Sequence, residues 1–369
     1  MALDLYNSTW RRKVDERAMT QTEGQLIWKV VDSLLPGDIC METIKLSKEQ
    51  PPVIKMGEML DSEKIEILKK SNVRYLWVKI PPAIPPVIES QKIDKIKKDI
   101  KDIFKTAGEK MTINKKNIEN LSQEIVNNVV KNFSDKISLI FLIQENDEEY
   151  TYVHEVHVGI ISSLVAMEMG LKISDIARLT FSAIIHDVGK IMVPKDILYA
   201  PRRLTQNEFE VVKRHVEFGE RICKLSKVED EFVLSGVKDH HEKLDGTGYL
   251  RGLKSDSISL PARIIAAADI YDALISNRSY KAPWSPYKAI SELIRMASVG
   301  KIDKKVLSAF ISIMGLYPIG TTVLLSNNEK AVVVANTKNH ITRPVVRLQD
   351  GSVVDISKEK NLRVIQVLD

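Results

Sequence analysis

The stretch of sequence that decides the fold is HHEKLDGTGY, residues 240–249. It opens with two adjacent histidines, His240 and His241, and ends in a turn-rich loop at Tyr249. A second stretch, HDVGK at residues 186–190, follows an apolar run with helical spacing. Because histidine and carboxylate side chains are common ligands of transition metals, the two stretches together predict a metal site carried by helices.

The histidines of the chain are concentrated in this part of the sequence. Six of the seven lie between residues 154 and 241. A single histidine on a helix is more often a hydrogen-bonded core residue than a ligand, but six in one helical region favour metal binding. Asp269 adds a carboxylate within the apolar run 264–268, where burial is costly unless the group is hydrogen-bonded or binds a cation. A structural, hydrogen-bonded aspartate is the alternative for Asp269.

The rest of the chain divides by its hydrophobic pattern. Residues 121–314 are typical of successive amphipathic helices, with Ser174 as a candidate N-cap and Thr205 beginning a capping box with Glu208. Beyond residue 314, short apolar segments at 323–325, 331–334 and 344–348 predict strands, separated by turns at 327–328 and 350–351. Upstream, residues 73–78 predict a strand, and four prolines within residues 81–86 predict a stiff linker.

We therefore predict a multi-domain, mainly α protein, since 369 residues exceed one compact core. A helical bundle carries the metal site, with a small α+β N-terminal domain and a small all-β C-terminal appendage. The predicted parts are a loose arm (1–24), a mixed accessory domain of regulatory or dimerising role (25–80), a proline-rich linker (81–91), connecting helices (92–148), the catalytic helical domain (149–315) and a β-rich subdomain (316–369).

Composition limits the class of protein. A net charge of +5 permits an anionic ligand but does not call for a nucleic-acid polymer. The lysine-rich segment 92–116 fits a solvated helix face better than a phosphate-binding surface. The two cysteines, Cys40 and Cys223, form no CxxC pair, which favours a reducing compartment. The N-terminus lacks a signal-peptide pattern and no apolar run is long enough to cross a bilayer, so we expect a cytoplasmic protein without direct membrane insertion.

The two stretches, taken with His154 and Asp269, resemble the HD-GYP branch of the HD superfamily of metal-dependent phosphohydrolases. The resemblance covers roughly residues 150–315. It implies a phosphodiesterase that hydrolyses cyclic di-GMP to linear pGpG or to GMP, by attack of a metal-bridging hydroxide.

The resemblance also implies a set of site residues. Two divalent transition metal ions are implied, with iron first and manganese next. One would be held by His154, His186, Asp187 and Asp269, and the other by Asp187, His215, His240 and His241. Asp187 would bridge the two ions. Lys190, Tyr249, Arg278 and Lys281 would contact the substrate, with Lys190 also stabilising phosphate charge; a surface lysine is the alternative for Lys190.

The sequence departs from the family pattern at several positions. Leu250 and Ser279 replace prolines, and His157 replaces an arginine, which we interpret as a residue that supports the ligands. Some family members bind a third metal through a glutamate four residues before the first ligand histidine. That position is Tyr150 here, a poor ligand because its phenol titrates near pH 10. We therefore predict two metals, with Glu149 marking the candidate place of a third.

Two other functions remain open at this point. One is a catalytically silent receptor for the nucleotide, and the other is an HD hydrolase of a different cyclic dinucleotide. Silent receptors usually lose ligands, whereas every matched ligand position is filled here. The expected partners are cyclic di-GMP, a diguanylate cyclase or another signalling protein, and a second copy of the chain.

Overall fold

The computed structural model describes residues 25–46, 51–71, 73–80, 88–133, 136–137, 147–276, 283–337 and 340–368. Its N-terminal part comprises β1 Gln25–Val30, β2 Ile39–Cys40, α1 Ser62–Lys69 and β3 Tyr75–Ile80. The strands form an antiparallel sheet in the order β1-β3-β2. Leu68 of α1 packs on Leu76 and Val78 of β3 in a core of its own. The predicted mixed region is thus present, with its strand starting two residues later than 73.

Helices make up the middle of the chain. In order they are α2 Ser90–Lys110, α3 Lys115–Asn132, α4 Asp147–Glu168, α5 Ile173–Ala183, α6 Lys195–Leu198, α7 Gln206–Lys213, α8 His215–Leu225, α9 Glu231–Asp239, α10 Leu260–Ile275, α11 Pro286–Ser298 and α12 Lys304–Met314. A 3-10 turn at Val188–Met192 separates α5 from α6. None of the described helices is both long and apolar enough to span a bilayer.

These helices share one continuous core. Ile93, Ile96, Ile100 and Phe104 recur on one face of α2 and are buried with residues of α4, α5 and α10. The opposite face of α2 carries exposed lysines, as a solvated helix face should. The expected boundary near residue 149 therefore does not separate two cores, because α2 and α3 pack into the same interior as the later helices.

Of the two predicted helix caps, the structure confirms one and contradicts the other. Thr205 and Glu208 form the complete capping box at the start of α7, as predicted. The prediction for Ser174 is wrong: α5 begins at Ile173, and its N-cap is Lys172, which makes no side-chain cap hydrogen bond. Ser174 lies inside the first turn because the helix starts one residue before it.

A six-stranded antiparallel sheet closes the chain. Its strands are β4 Lys136–Ile137, β5 Thr322–Leu325, β6 Lys330–Thr337, β7 Val345–Leu348, β8 Val353–Asp355 and β9 Val364–Val367. The order is β8-β7-β6-β5-β9, with β4 paired to the end of β6. Asn328 and Gly351 adopt positive φ at the predicted turns. The sheet is more than a C-terminal appendage, since β4 comes from the segment that joins α3 to α4.

The C-terminal sheet also contacts the N-terminal part. Arg347 of β7 donates hydrogen bonds to the carboxylate of Asp38 and to the carbonyl of Gly37. The hydroxyl of Thr322 donates to the carbonyl of Ser33 over 3.0 Å. Leu35 is buried among residues of β6 and β7. The N-terminal sheet and the C-terminal sheet are therefore joined by both polar and apolar contacts.

Candidate metal centre

Three helices and two turns bring the predicted ligands together. His154 lies on α4, His186 and Asp187 lie in the turn after α5, and His215 opens α8. His240 and His241 come directly after α9, and Asp269 lies on α10. All are buried except His241, which is half-buried. The structure thus gathers residues from 154 to 269 at one place.

Asp187 lies at the centre of this cluster. Its Oδ1 is 3.1 Å from Nε2 of His215 and 3.7 Å from Nε2 of His240. Its Oδ2 is 3.6 Å from Nε2 of His186 and 3.9 Å from Nε2 of His154. The two oxygens of one carboxylate therefore face two different pairs of histidines.

The ligand atoms form two compact groups. Asp187, His215, His240 and His241 offer atoms that all lie within 4.8 Å of one another, as do His154, His186 and Asp269. Nε2 of His154 is 3.1 Å from Oδ1 of Asp269. The first group contains the same four residues as one predicted ligand set. The second group contains the residues of the other predicted set except Asp187.

Buried polar atoms at the centre lack hydrogen bonds. Within the described part of the chain, Nε2 of His154, Nε2 of His186 and Oδ1 of Asp187 are buried and make none of acceptable geometry. Each such group costs about 1–3 kcal/mol when left unsatisfied. A cation between these atoms would satisfy them. Imidazole nitrogens with carboxylate oxygens suit divalent transition metals, so the residues fit the implied ions.

The far nitrogens of the candidate ligand histidines are anchored. In three of them Nδ1 lies within hydrogen-bond distance of the backbone carbonyl three residues earlier: His186 with Ala183 at 2.8 Å, His215 with Val212 at 2.8 Å, and His240 with Val237 at 2.9 Å. Donation from Nδ1 leaves the Nε2 lone pair directed at the centre. The helix ends therefore orient the rings toward a common point.

Asp272 is a supporting residue that the sequence analysis did not identify. Its Oδ2 is 2.7 Å from Nδ1 of His154, and its Oδ1 is 2.7 Å from Nδ1 of His157. All three are buried. His157 thus lies behind the ligands, in the supporting position we expected. The available signal was the spacing of Asp272, three residues after Asp269 on a largely apolar helix.

Glu155 is a second residue that the sequence analysis missed. It is fully buried, and its Oε2 lies 2.9 Å from Nδ1 of His186, on the side of the ring away from Asp187. Glu155, His186 and Asp187 form a third group of possible ligand atoms. This group shares two of its three members with the others, so Glu155 adds a buried negative charge behind His186 rather than a separate site. A glutamate within the apolar run of α4 was the available signal.

The carboxylates of the centre are held ionised. Burial by itself raises the pKa of Asp187, but Lys190 and His186 outweigh it and hold that pKa well below the usual value. The ammonium of Lys190 contacts Oδ2 of Asp187 directly. Burial likewise raises the pKa of Asp269, but the neighbouring His154, His241 and His186 outweigh it and hold that pKa well below the usual value. Ionised carboxylates are the form that binds cations.

The histidines are in two electrostatic environments. Burial alone lowers the pKa of His186, but the charges of Glu155 and Asp187 raise it to about 10. Burial lowers the pKa of His240 to about 4, and the neighbouring His186 and His215 act in the same direction. His240 therefore presents a neutral imidazole, whose lone pair is available for coordination.

Two tyrosines stack on ligand histidines. The ring of Tyr249 stacks on that of His241 with centroids 4.6 Å apart, and Phe209 meets Tyr249 edge-on. The ring of Tyr150 stacks on that of His154 at 5.3 Å. Of the remaining predicted residues, Arg278 and Lys281 lie outside the described residues, as does the side chain of Glu149.

Several known proteins are similar to this chain. The HD domain family matches residues 141–306. A cyclic di-GMP phosphodiesterase of Thermotoga maritima is 30% identical over 77% of this chain and 78% of its own length. This chain belongs to the HD-GYP type of the HD domain family. The cyclic di-GMP phosphodiesterase PA4108 of Pseudomonas aeruginosa is 32% identical over 67% of this HD-GYP chain.

The matches to other relatives are shorter. The chain spans 58% of the length of PA4108 and 59% of that of the cyclic di-GMP phosphodiesterase PdeB of Borreliella burgdorferi. The 3'3'-cGAMP-specific phosphodiesterase 3 of Vibrio cholerae is 36% identical over 49% of this chain and 39% of its own length. Among solved structures, the HDG"Y"P protein Bd1817 of Bdellovibrio bacteriovorus aligns over 78% of this chain and 98% of its own, with 16% identity and a TM-score of 0.46.

Proposed function

We propose that this protein is a metal-dependent phosphodiesterase that hydrolyses cyclic di-GMP to linear pGpG. The observation that carries the proposal is the position of Asp187, whose two oxygens face two separate histidine pairs. Such a carboxylate is suited to bridge two cations. Two divalent ions bound there would lower the pKa of a bound water and neutralise charge on the phosphodiester.

The proposed ligand sets follow the two groups. His154, His186 and Asp269 hold one ion together with Asp187. His215, His240 and His241 hold the other, again with Asp187. Iron is the first choice and manganese the second, because mixed imidazole and carboxylate ligation suits both and no thiolate belongs to either group.

We assign substrate contacts to residues around these groups. Lys190 lies on the same turn as Asp187, so its ammonium is close enough to the centre to stabilise a non-bridging phosphate oxygen. Tyr249 orients His241 by stacking and presents its own edge to the substrate. Arg278 and Lys281, by family resemblance, bind the phosphates. The cytoplasm remains the proposed compartment, since Cys40 and Cys223 are buried free thiols.

Two ions per chain are proposed rather than three. Tyr150 occupies the position of the third-metal glutamate and packs against His154 through its ring. A chain with one cation fewer to bind the terminal phosphate of linear pGpG should convert it to GMP more slowly than it opens the cyclic substrate. Rapid and complete formation of GMP would contradict this expectation.

The test is a substrate panel on protein loaded with iron or manganese under anaerobic conditions. Cyclic di-GMP, 3'3'-cGAMP and cyclic di-AMP are supplied separately, and the products are separated by chromatography. We expect cyclic di-GMP to be hydrolysed fastest and Asp187→Ala protein to be inactive. Binding of cyclic di-GMP without turnover in fully loaded protein would instead support the silent receptor.

A second candidate substrate is 3'3'-cGAMP. The observation in its favour is the similarity to the Vibrio cholerae cGAMP-specific phosphodiesterases, which reaches 36% identity. Both substrates carry the same phosphodiester linkage and differ in one base. The panel distinguishes them by the ratio of kcat/KM values, and a ratio above one for 3'3'-cGAMP would replace cyclic di-GMP as the proposed substrate.

A further inference from the structure

A cavity of about 370 Å³ lies beside the metal centre. Three proposed metal ligands, His240, His241 and Asp269, belong to its wall, together with Tyr249. The volume is within the range of about 300–1,000 Å³ that is typical of small-molecule pockets. The metal groups do not account for the cavity, because most of its wall is formed by residues that are not ligands.

One wall of the cavity is an apolar face of α10. Ala266, Ile270, Ala273 and Leu274 line it at helical spacing, and all four are only half-buried. Residues on the other faces of α10, such as Ile265, are buried in the core. This face is therefore exposed to the cavity, and its two alanines leave the cavity wide.

Other apolar residues also line the cavity. Ile258, Met296 and Ile302 belong to its wall, and all three are buried. A largely apolar lining suits a flat ring whose faces are apolar. In a cyclic dinucleotide the phosphates are anionic and the riboses are polar, so the bases are the only parts with such faces.

The carboxylates in the wall, apart from Asp269, are already engaged. Glu242 accepts hydrogen bonds from the backbone amides of Arg251 and Leu253 at 2.7 and 2.9 Å. Asp303 accepts from the guanidinium of Arg263 at 2.8 Å and caps α12. Both carboxylates are therefore already bound by donors of the protein.

Two lysines in the wall can act as donors. Lys301 forms an ion pair with Asp245 whose charged atoms are 3.9 Å apart, and its side chain is about one-third exposed. Its backbone is fixed from both sides, because its amide donates to Met296 and its carbonyl accepts from Leu244. Lys243 lies nearer in sequence to His241. The wall therefore offers cationic donors and engaged carboxylates.

We propose that this cavity binds a guanine base of the substrate, with the ammonium of Lys301 donating to the base edge. Guanine presents two adjacent acceptors, N7 and O6, whereas adenine presents one acceptor and an amino donor. A cationic donor therefore favours guanine. The proposal deepens the proposed function and rests on it, since it names the substrate group that lies beside the reacting phosphate.

The test compares three probes on the manganese-loaded full chain by calorimetry. GMP and AMP differ in the base, and ribose 5-phosphate lacks it. We expect GMP to bind at least about tenfold more tightly than either of the others, which corresponds to about 1.4 kcal/mol. Equal affinity for GMP and ribose 5-phosphate would overturn the cavity as a base pocket, and equal affinity for GMP and AMP would overturn its guanine preference.

Variants locate the effect. Ala266→Leu fills the cavity, so GMP should bind no better than ribose 5-phosphate while metal content and ribose 5-phosphate affinity stay unchanged. Ala177→Leu is the control, since Ala177 is half-buried on α5 outside the cavity. Lys301→Met should reduce GMP affinity to that of AMP, with the exposed Lys304→Met as its control. Wild-type GMP affinity in Ala266→Leu would overturn the proposal.

The two proposals fail in different ways. If the wild-type chain prefers GMP through the cavity but hydrolyses no cyclic dinucleotide, the proposed function fails and the base pocket stands. If it hydrolyses cyclic di-GMP and Ala266→Leu keeps the wild-type KM, the base pocket fails and the function stands. Should Ala266→Leu fold poorly, a crystal structure of wild-type protein with GMP decides, because the base must lie in the cavity in contact with Ala266.

Discussion

Asp272 binds two histidines with its two oxygens, and this predicts what happens when one oxygen is replaced. In Asp272→Asn, the amide group can accept from only one of His154 and His157, and it presents a donor to the other. We expect metal affinity to fall by about 10–100-fold, the usual effect of losing a partner of a ligand histidine. Competition with a chelator measures it.

The control for this change is Asp175→Asn. Asp175 is a half-buried aspartate on α5 that pairs with Arg178, away from the ligand groups. The metal affinity of the Asp175→Asn variant should match that of the wild type. Unchanged affinity in Asp272→Asn would mean that Asp272 does not hold His154 in place.

Asp187 and Asp269 should differ in how much metal their loss removes. Asp187 faces both histidine pairs, whereas Asp269 belongs to one group of ligand atoms. Asp187→Ala should therefore lose both ions, and Asp269→Ala should lose one. Elemental analysis of metal per chain measures the difference. Full metal content in Asp187→Ala would refute its bridging role.

Sequence motifs identified the residues that the structure gathers into the two groups, but not Asp272 and Glu155 behind them. His186 and Asp187, or His240 and His241, are recognisable because they are adjacent in short motifs. Asp272 and Glu155 are single carboxylates within apolar helices, and Asp272 contacts histidines 115 and 118 residues away. Their partners are set by how α4 and α10 pack, which local spacing does not encode.

At the scale of elements, close packing of the HDVGK turn on α8 sets the distance between Asp187 and His215. A Cβ on Gly189 would lie 1.9 Å from the carbonyl oxygen of His215 and 2.5 Å from the amide of Gly219. Both are backbone atoms, so Gly189→Ala must push the turn away from α8. We expect the free energy of unfolding to fall by about 1–3 kcal/mol, together with weaker metal binding.

Gly108→Ala provides the matched comparison. A Cβ on Gly108, on the exposed face of α2, meets nothing within 4 Å. The same substitution should there stabilise the protein by about 0.5–1 kcal/mol, because alanine favours the helix. Denaturant unfolding and metal titration of both variants test the pair, and a tolerated Gly189→Ala would contradict the packing argument.

Two helix starts give a second test at this scale. Thr205 caps α7 and receives a hydrogen bond from Glu208, whereas Ser174 makes no cap for α5. Thr205→Ala should cost about 1 kcal/mol and Ser174→Ala close to nothing. Sequence favoured both caps, since each hydroxyl residue lies near a helical pattern. The two residues differ in their position relative to the first helical residue: Thr205 precedes it, whereas Ser174 follows it. Tertiary packing decides where each helix begins. Equal losses of stability would contradict this.

At the scale of the whole molecule, the N-terminal and C-terminal sheets meet around a buried charge cluster. Lys29 of β1 and Arg347 of β7 both contact the carboxylate of Asp38, and all three are buried. Sequence analysis predicted a small mixed N-terminal domain and a β-rich C-terminal part but not their contact. Arg347 and Asp38 are 309 residues apart, and a single charged residue in a strand does not reveal a distant partner. The contact matters because it fixes the accessory part against a sheet that shares β4 with the helical region.

This charge cluster predicts a larger loss of stability for Asp38→Asn than for Arg347→Met. Asp38→Asn removes the anion that contacts both buried cations, and removing one partner from a buried ion pair costs about 3–5 kcal/mol. Arg347→Met leaves the pair of Lys29 and Asp38 intact at 3.2 Å and replaces the guanidinium by an apolar chain, so its cost should be clearly smaller. The amide oxygen of an asparagine at position 38 can still accept the hydrogen bond from the amide of Leu35. The loss of stability in Asp38→Asn therefore reports the loss of the negative charge rather than of this hydrogen bond. Hydrogen exchange across Gln25–Val30 and Val345–Leu348 should rise strongly in the first variant and mainly in Val345–Leu348 in the second. Equal exchange in both variants would show that Asp38 acts only as the partner of Arg347.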